Sequence, residues 1–371
     1  MLIQTDFTRI MKNNQVPESR EIKLKKTSKL GKEISEKYTN KKDLNRKAVS
    51  YLEKHLRVPT LFRIETCHDF MRFLTTETLD KRRLEKTNSC GNRFCPICTW
   101  KTAKKDAIKI SVISEAIAVK EKYEYIFLTL TSPNVTEENL RSEIDKFNHA
   151  ISKLFRRKNV AKVVKGYVRK LEVTTDQEKY ITDELFSRKK AYFDKRGLAV
   201  GDANPQYNTY NPHVHIILAV ESDYFNHGFI SQSEWLEMWQ QCMDNPNITQ
   251  VDVRKVRKGA KSVEGAVLEV AKYTAKGSDL YHSERVFDVF YGALKGRQLL
   301  VYSGVFKDYA KKYEQGLLDE FKKTDEAVYT HLLTTLWNNS KYEGKLRELT
   351  EEEFQRYNER ALYIEESDEI E

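Results

Sequence analysis

This 371-residue sequence lacks long apolar runs and has little proline or glycine. No stretch approaches the roughly 18 consecutive apolar residues that a membrane-spanning helix needs. The opening residues, MLIQTDFTRIMKNN, carry no apolar core of the kind found in signal peptides. The expectation is therefore a protein of neither the membrane nor the secretory class. Seven prolines and 14 glycines exclude a collagen-like or low-complexity chain and a loop-rich propeller. No internal repeat marks a solenoid. Cysteines number five, and an odd count without a secretory signal argues against a disulfide framework. What is present is 40% hydrophobic and 32% charged residues. That is too apolar for a disordered chain, and the length suffices for two or three domains.

The net charge of +9 is unevenly placed. Residues 1–60 hold 15 Lys or Arg against 7 Asp or Glu, whereas the last 21 residues hold 9 acids against 2 arginines. A basic body with an acidic tail points to a polyanionic partner, most simply nucleic acid.

Three cysteines fall close together as Cys90-x4-Cys95-Pro96-Ile97-Cys98. The thiolates of C-x2-C can hold one tetrahedral ion from a single turn, so the spacing reads as half of a structural zinc site. Cys67 is the natural fourth ligand, with His68 beside it as a competitor. No thioredoxin-like βαβ pattern frames this C-x-x-C, which argues against a redox role. Cys242 follows Trp235 and Trp239 on a helix-like stretch and reads as a packed residue.

Along the chain, residues 1–48 are charged and polar, a mobile basic arm leading into a helix that ends near Leu56. Residues 57–122 form the zinc-binding module, closed by a helix over Trp100–Lys122. A regular alternation then begins. The expected strands are Tyr125–Thr131, Lys162–Thr175, Pro212–Val220 and Thr249–Val256. The expected helices are Glu137–Arg157, Gln232–Met243 and Val263–Lys276. This βαββαβ order predicts an α+β fold, an antiparallel sheet with helices on one face. Residues 123–305 make that unit, with 176–211 as an insertion, and 306–371 read as a helical C-terminal region with an acidic tail.

Candidate chemistry converges on two elements of this unit. In Pro212-His213-Val214-His215-Ile216, side chains at i and i+2 of a strand share a face, so two imidazoles point the same way. Glu172, on the preceding strand, can complete a two-histidine, one-carboxylate set suited to Mg2+ or Mn2+ acting on a phosphodiester. The plainer reading of Glu172 is a surface acid paired with Arg169 or Lys170. On the last helix, Glu269, Lys272, Tyr273 and Lys276 share one face at i, i+3, i+4 and i+7. A tyrosine can attack phosphorus, lysines can stabilise the charge that results, and a carboxylate can activate a later water.

FLTLT at 127–131, HVHII at 213–217 and E-x-x-x-Y-x-x-K at 269–276 resemble, in that order, the three motifs of the HUH endonucleases. In particular they look like those of plasmid rolling-circle replication initiators with one catalytic tyrosine and a glutamate partner. C-x4-C-P-x-C at 90–98 and GYVRKLEVT at 166–174 are similar to the same branch, and the resemblance covers about residues 65–305.

The resemblance implies that His213 and His215 bind the metal with Glu172 as third ligand. Tyr273 cleaves one strand at a single-stranded or hairpin plasmid origin and stays linked to its 5′ phosphate. Glu269 activates the terminating water, and Lys276 with Lys272 neutralises charge at Tyr273. The resemblance leaves the role of the FLTLT strand open; it reads as a core strand that supports the site, with Thr129 or Thr131 as the candidates to approach DNA. Host helicase and DNA polymerase are implied partners, and a plasmid-encoded protein of the prokaryotic cytoplasm is the implied setting. The length of the 176–211 insertion leaves Asp176 and Asp183 as alternative ligands. A mobilisation relaxase, a single-tyrosine transposase, or a zinc-bearing DNA-binding regulator without enzymatic activity are the competing readings.

Overall fold

A computed structural model describes residues 17–22, 34–256, 260–271, 275, 277–359 and 362–363. The chain divides into two compact units, one of residues 109–321 and the other of residues 1–108 with 322–371.

The 109–321 unit is built on five antiparallel strands: β1 (Glu124–Thr131), β2 (Val164–Asp176), β3 (Thr209–Val220), β4 (Asp252–Val256) and β5 (Leu300–Gly304). They lie in the order β4-β1-β3-β2-β5. Five helices matter to it: α1 (Leu140–Arg156), α2 (Gln232–Met243), α3 (Ala260–Ala271), α4 (Glu284–Leu294) and α5 (Val305–Glu314). The predicted βαββαβ order is present as β1-α1-β2-β3-α2-β4.

Helix α1 forms because Leu140, Ile144, Phe147, Ile151 and Leu154 recur at helical spacing and are all buried. Helix α2 starts at a capping box, in which the Ser231 hydroxyl accepts from the Glu234 amide and Glu234 reaches back to Ser231. Phe147 of α1 meets Trp239 of α2 edge-on at 5.3 Å, and Trp239 Nε1 donates to the Thr131 carbonyl at 2.8 Å.

Helices cover both faces of this sheet, which corrects the expectation of one. Arg169 and Lys170 are successive residues of β2 and so point to opposite faces. Arg169 donates to Asn148 of α1, while Lys170 donates to the carbonyl of Ala271 in α3. Thus α1 lies on the Arg169 side and α3 on the other. This double cover is why Val214 through Val220 of β3 are buried without alternation. Pro212 is tolerated in this central strand because the β1 ladder ends at the Thr131–His213 pair.

The 176–211 insertion is an ordered excursion between β2 and β3. It carries short helices at Asp183–Arg188 and Lys190–Asp194, packed around Ile181, Leu185 and Phe193. The hairpin it interrupts stays in register, from Asp176 opposite Thr209 to Tyr167 opposite Leu218.

The other unit also holds a five-stranded antiparallel sheet. Its order is Arg20–Ile22, Tyr342–Glu348, His331–Trp337, Phe70–Thr75, Arg82–Thr87. Two expectations change here. Residues 20–22 of the basic arm form an edge strand, paired through Arg20 with Leu346. The C-terminal region is not mainly helical: besides α5 and the helix Glu351–Asn358 it forms the strands His331–Trp337 and Tyr342–Glu348 and the short strands Thr324–Asp325 and Leu362–Tyr363. The missed signal is a period of two, since Tyr342, Gly344 and Leu346 are buried while Glu343 and Lys345 are exposed. The helix leading out of the arm spans Asn40–Leu52, shorter than expected, and Val58–Glu65 follows as a separate helix. The helix after the cysteines runs Pro96–Lys120.

Candidate active site and four-cysteine centre

Cys67, Cys90, Cys95 and Cys98 come together, their sulfurs all within 4.8 Å of one another. Sγ of Cys98 lies 3.5 Å from that of Cys67 and 3.5 Å from that of Cys90. A tetrahedral ion with metal–sulfur bonds of about 2.3 Å requires sulfur–sulfur separations of about 3.8 Å, so the cage fits zinc closely. Backbone N–H groups face the sulfurs: Gly91 donates to Cys98 at 3.3 Å and Cys90 to Cys67 at 3.4 Å. These bonds suit thiolates. The hydrogen bonds from Cys67, Cys90 and Cys95 lower the Cys98 pKa. His68 is not in the set; its Nδ1 lies 3.2 Å from Cys67 Sγ and its Nε2 has no hydrogen-bond partner among the described residues. Cys242 is buried in α2 of the other unit and is not one of the four clustered cysteines.

In the 109–321 unit, β-pairing assembles the second centre. Thr131, His213 and Glu172 stand side by side across β1, β3 and β2, and Thr129, His215 and Lys170 form the next rung. All six share one face of the sheet. One carboxylate oxygen, Oε2 of Glu172, lies 3.1 Å from His213 Nε2 and 2.9 Å from His215 Nε2. Glu172 is buried, which rules out the plainer reading of it as a surface acid. Burial by itself raises the Glu172 carboxyl, but the hydrogen bonds of His213 and His215 outweigh it and hold it well below the ordinary carboxylate range. Asp176 is held by Lys189 at 2.5 Å and by Asn204 at 3.0 Å, and Asp183 opens a short helix.

The outer ring nitrogens are already engaged. His213 Nδ1 lies 3.3 Å from the Asn211 carbonyl, and His215 Nδ1 lies 3.2 Å from Thr129 Oγ1. A carbonyl only accepts, so His213 Nδ1 carries the proton and, in the neutral ring, Nε2 presents a lone pair. That lone pair faces a carboxylate oxygen. Two acceptors meet there unless a proton or a cation lies between them, and three such atoms make a divalent-metal donor set. Phe127 stacks on His215 with ring centres 5.7 Å apart, and Arg254 lies over Phe127 at 5.1 Å.

Helix α3 brings a second acid to this face: Glu269 Oε1 is 3.8 Å from His215 Nε2. Lys170, which sequence reasoning did not select, is buried and donates through Nζ to the Ala271 carbonyl at 3.0 Å. Its signal was its place two residues before Glu172, on the same strand face. Lys272, Tyr273 and Lys276 lie outside the described residues. Among the described residues, no helix is long and apolar enough to cross a membrane.

A family model described as Replication protein matches residues 81–343. The chain is similar to Protein rep of Staphylococcus aureus, with 39% identity over 246 residues, which are 66% of this chain and 94% of that relative. It is also similar to Protein rep of Streptococcus pneumoniae serotype 2 (strain D39 / NCTC 7466), 31% identical over 303 residues, covering 78% of this chain and 85% of the relative. Protein rep of Lentilactobacillus hilgardii is 30% identical over 264 residues, or 68% of this chain and 74% of the relative. No solved structure matches the chain.

Proposed function

The chain belongs to the Replication protein family, and from that premise we propose that it initiates plasmid rolling-circle replication by nicking one strand of origin DNA. The observation that carries the reading is the single oxygen of Glu172 facing both His213 and His215 Nε2. His213, His215 and Glu172 hold the nuclease metal, Mg2+ or Mn2+, which supplies Lewis-acid polarisation of a phosphate oxygen when bound.

The phenolic oxygen of Tyr273 forms a bond to phosphorus, the P–O3′ bond breaks, and the 3′ oxygen leaves with a proton. The product is a 5′-phosphotyrosine and a free 3′-OH, the substrate for a host polymerase that works with a host helicase. Lys276 and Lys272 offset charge at the phenolate and phosphate. Glu269 takes a proton from the water that acts in termination, so the enzyme is released after one round without a second tyrosine. The closeness of Glu269 to His215 supports this pairing of roles. Zn2+ in the Cys67, Cys90, Cys95, Cys98 cage is structural.

The test is a denaturing gel of purified protein with single-stranded origin DNA and Mn2+ or Mg2+. A metal-dependent covalent adduct is expected for wild type, lost in Tyr273→Phe and accumulating in Glu269→Ala. An adduct that survives Tyr273→Phe would assign the chemistry to another tyrosine. Tight binding to origin DNA with no adduct under any condition would make the protein a DNA-binding regulator.

A further inference from the structure

Lysines gather around one indole in the unit that holds the four cysteines. Nζ of Lys41 lies 4.4 Å from the ring centre of Trp100 and Nζ of Lys104 lies 4.8 Å from it. Lys41 is in the helix Asn40–Leu52, and Trp100 and Lys104 are one turn apart in Pro96–Lys120. Lys41 Nζ also donates to the Lys37 carbonyl at 2.7 Å. Burial, then repulsion from Lys104 and Lys37, pushes the Lys41 ammonium down to about 8. Holding like charges together in a partly buried place costs folding free energy. The negative face of an aromatic ring offsets some of that cost and fixes where the charges sit.

We propose that Lys41 and Lys104, braced by Trp100, form a contact for the phosphodiester backbone of DNA. The proposal rests on the replication reading for the identity of the polyanion. Trp100 is partly buried with both ammoniums over it, so its part is to brace the cations and not to stack a base. The two nitrogens lie 4.4 and 4.8 Å from one ring centre and so at most about 9.2 Å apart, a span that phosphates of one strand, carrying one charge per ~3.4 Å of helix axis, can meet. The contact is blind to sequence: it sets affinity and register, and base reading belongs elsewhere.

The experiment uses the full chain in EDTA, so that no metal-dependent step enters. Fluorescence anisotropy would follow binding of a labelled duplex and of its single strand, each roughly 30 nucleotides long, over roughly 50 to 300 mM KCl. For Lys41→Gln with Lys104→Gln, the slope of log affinity against log salt should fall by about 1.8 on duplex or about 1.4 on single strand. The arm that changes more identifies the strand form. Lys41→Arg with Lys104→Arg should restore the slope. Lys86→Gln with Lys345→Gln, exposed residues on strands of the same unit, should leave it unchanged.

An unchanged slope in the double Gln variant overturns the proposal. So does an equal loss in the Lys86 and Lys345 control, or no DNA binding by wild type. Wild type that binds with the full slope in EDTA but forms no adduct in the separate Mn2+ or Mg2+ assay would sink the nicking reading and leave this contact standing. A double Gln variant that nicks but binds like wild type would do the reverse.

Discussion

Glu172 stands opposite His213 in the β2–β3 register, and its Oε2 atom reaches both His213 and His215. A carboxylate and two imidazoles, separated by some 40 residues of sequence, thus share one point on the sheet. Because each histidine's Nδ1 is held by Asn211 or Thr129, the Nε2 atoms are aimed at Glu172 by the fold itself. Preorganisation of this kind lowers the ordering cost of binding an ion.

Replacing Glu172 with Ala should remove one of the three proposed ligands and leave the imidazoles without their anion. Cleavage of origin single strand should fall at least ~100-fold, in line with the loss of a metal ligand or its close support. Calorimetric titration with Mn2+ should show the same loss of affinity. Unchanged cleavage would mean that the metal, if any, is held elsewhere.

Lys170→Met should slow single-turnover cleavage by ~10-fold or more through displacement of the helix that carries Glu269, since small misplacements of catalytic groups are costly. Lys170 fastens the last described residue of α3, Ala271, to the histidine face. Mn2+ affinity should be little changed, because Lys170 is not a ligand. Equal losses of metal binding and cleavage would instead mark a general collapse of the sheet face.

One equivalent of Zn2+ should copurify with the chain. Cys98→Ser should reduce the metal content measured by mass spectrometry and lower the melting temperature, because a structural zinc site contributes folding free energy directly. Cys242→Ser, in α2, should leave the zinc content as it was. Full zinc occupancy in Cys98→Ser would show that the cage is not the site.

Lys41 gives a pH signature. Its folded pKa is depressed to about 8, so between there and the unfolded value of about 10.4 the unfolded chain binds more protons. Stability attributable to Lys41 therefore rises with pH across that window. The melting temperature of wild type relative to Lys41→Gln should increase from pH 7 to pH 10. A difference independent of pH would show that Lys41 is not held as a compressed cation.

The βαββαβ unit was legible because its elements are punctuated: apolar, β-branched runs such as YIFLTLT alternate with amphipathic stretches at helical spacing. Cys90, Cys95 and Cys98 were legible for a similar reason, since chelation by one turn is a local matter. The strand at Tyr342–Glu348 was not. Its inward residues include Gly344 between charged neighbours, so its hydrophobic alternation is weak and its strand state comes from pairing with His331–Trp337. The placement of helices on both faces was also hidden, because a strand buried on both sides shows no period that says which helix covers which side.

By itself the sequence determined residue types and local geometry. Two histidines at i and i+2 must share a strand face, and Glu269 and Tyr273, four apart, are set at a helical spacing, because those periods belong to the backbone. The tertiary structure alone decided which acid meets the histidines. Glu172, Asp176 and Asp183 were all candidates until the β2–β3 ladder set the register across the 176–211 insertion. The hydrogen bonds of that ladder admit only one pairing that keeps the apolar side chains buried, and it places Glu172, and not Asp176 or Asp183, beside His213.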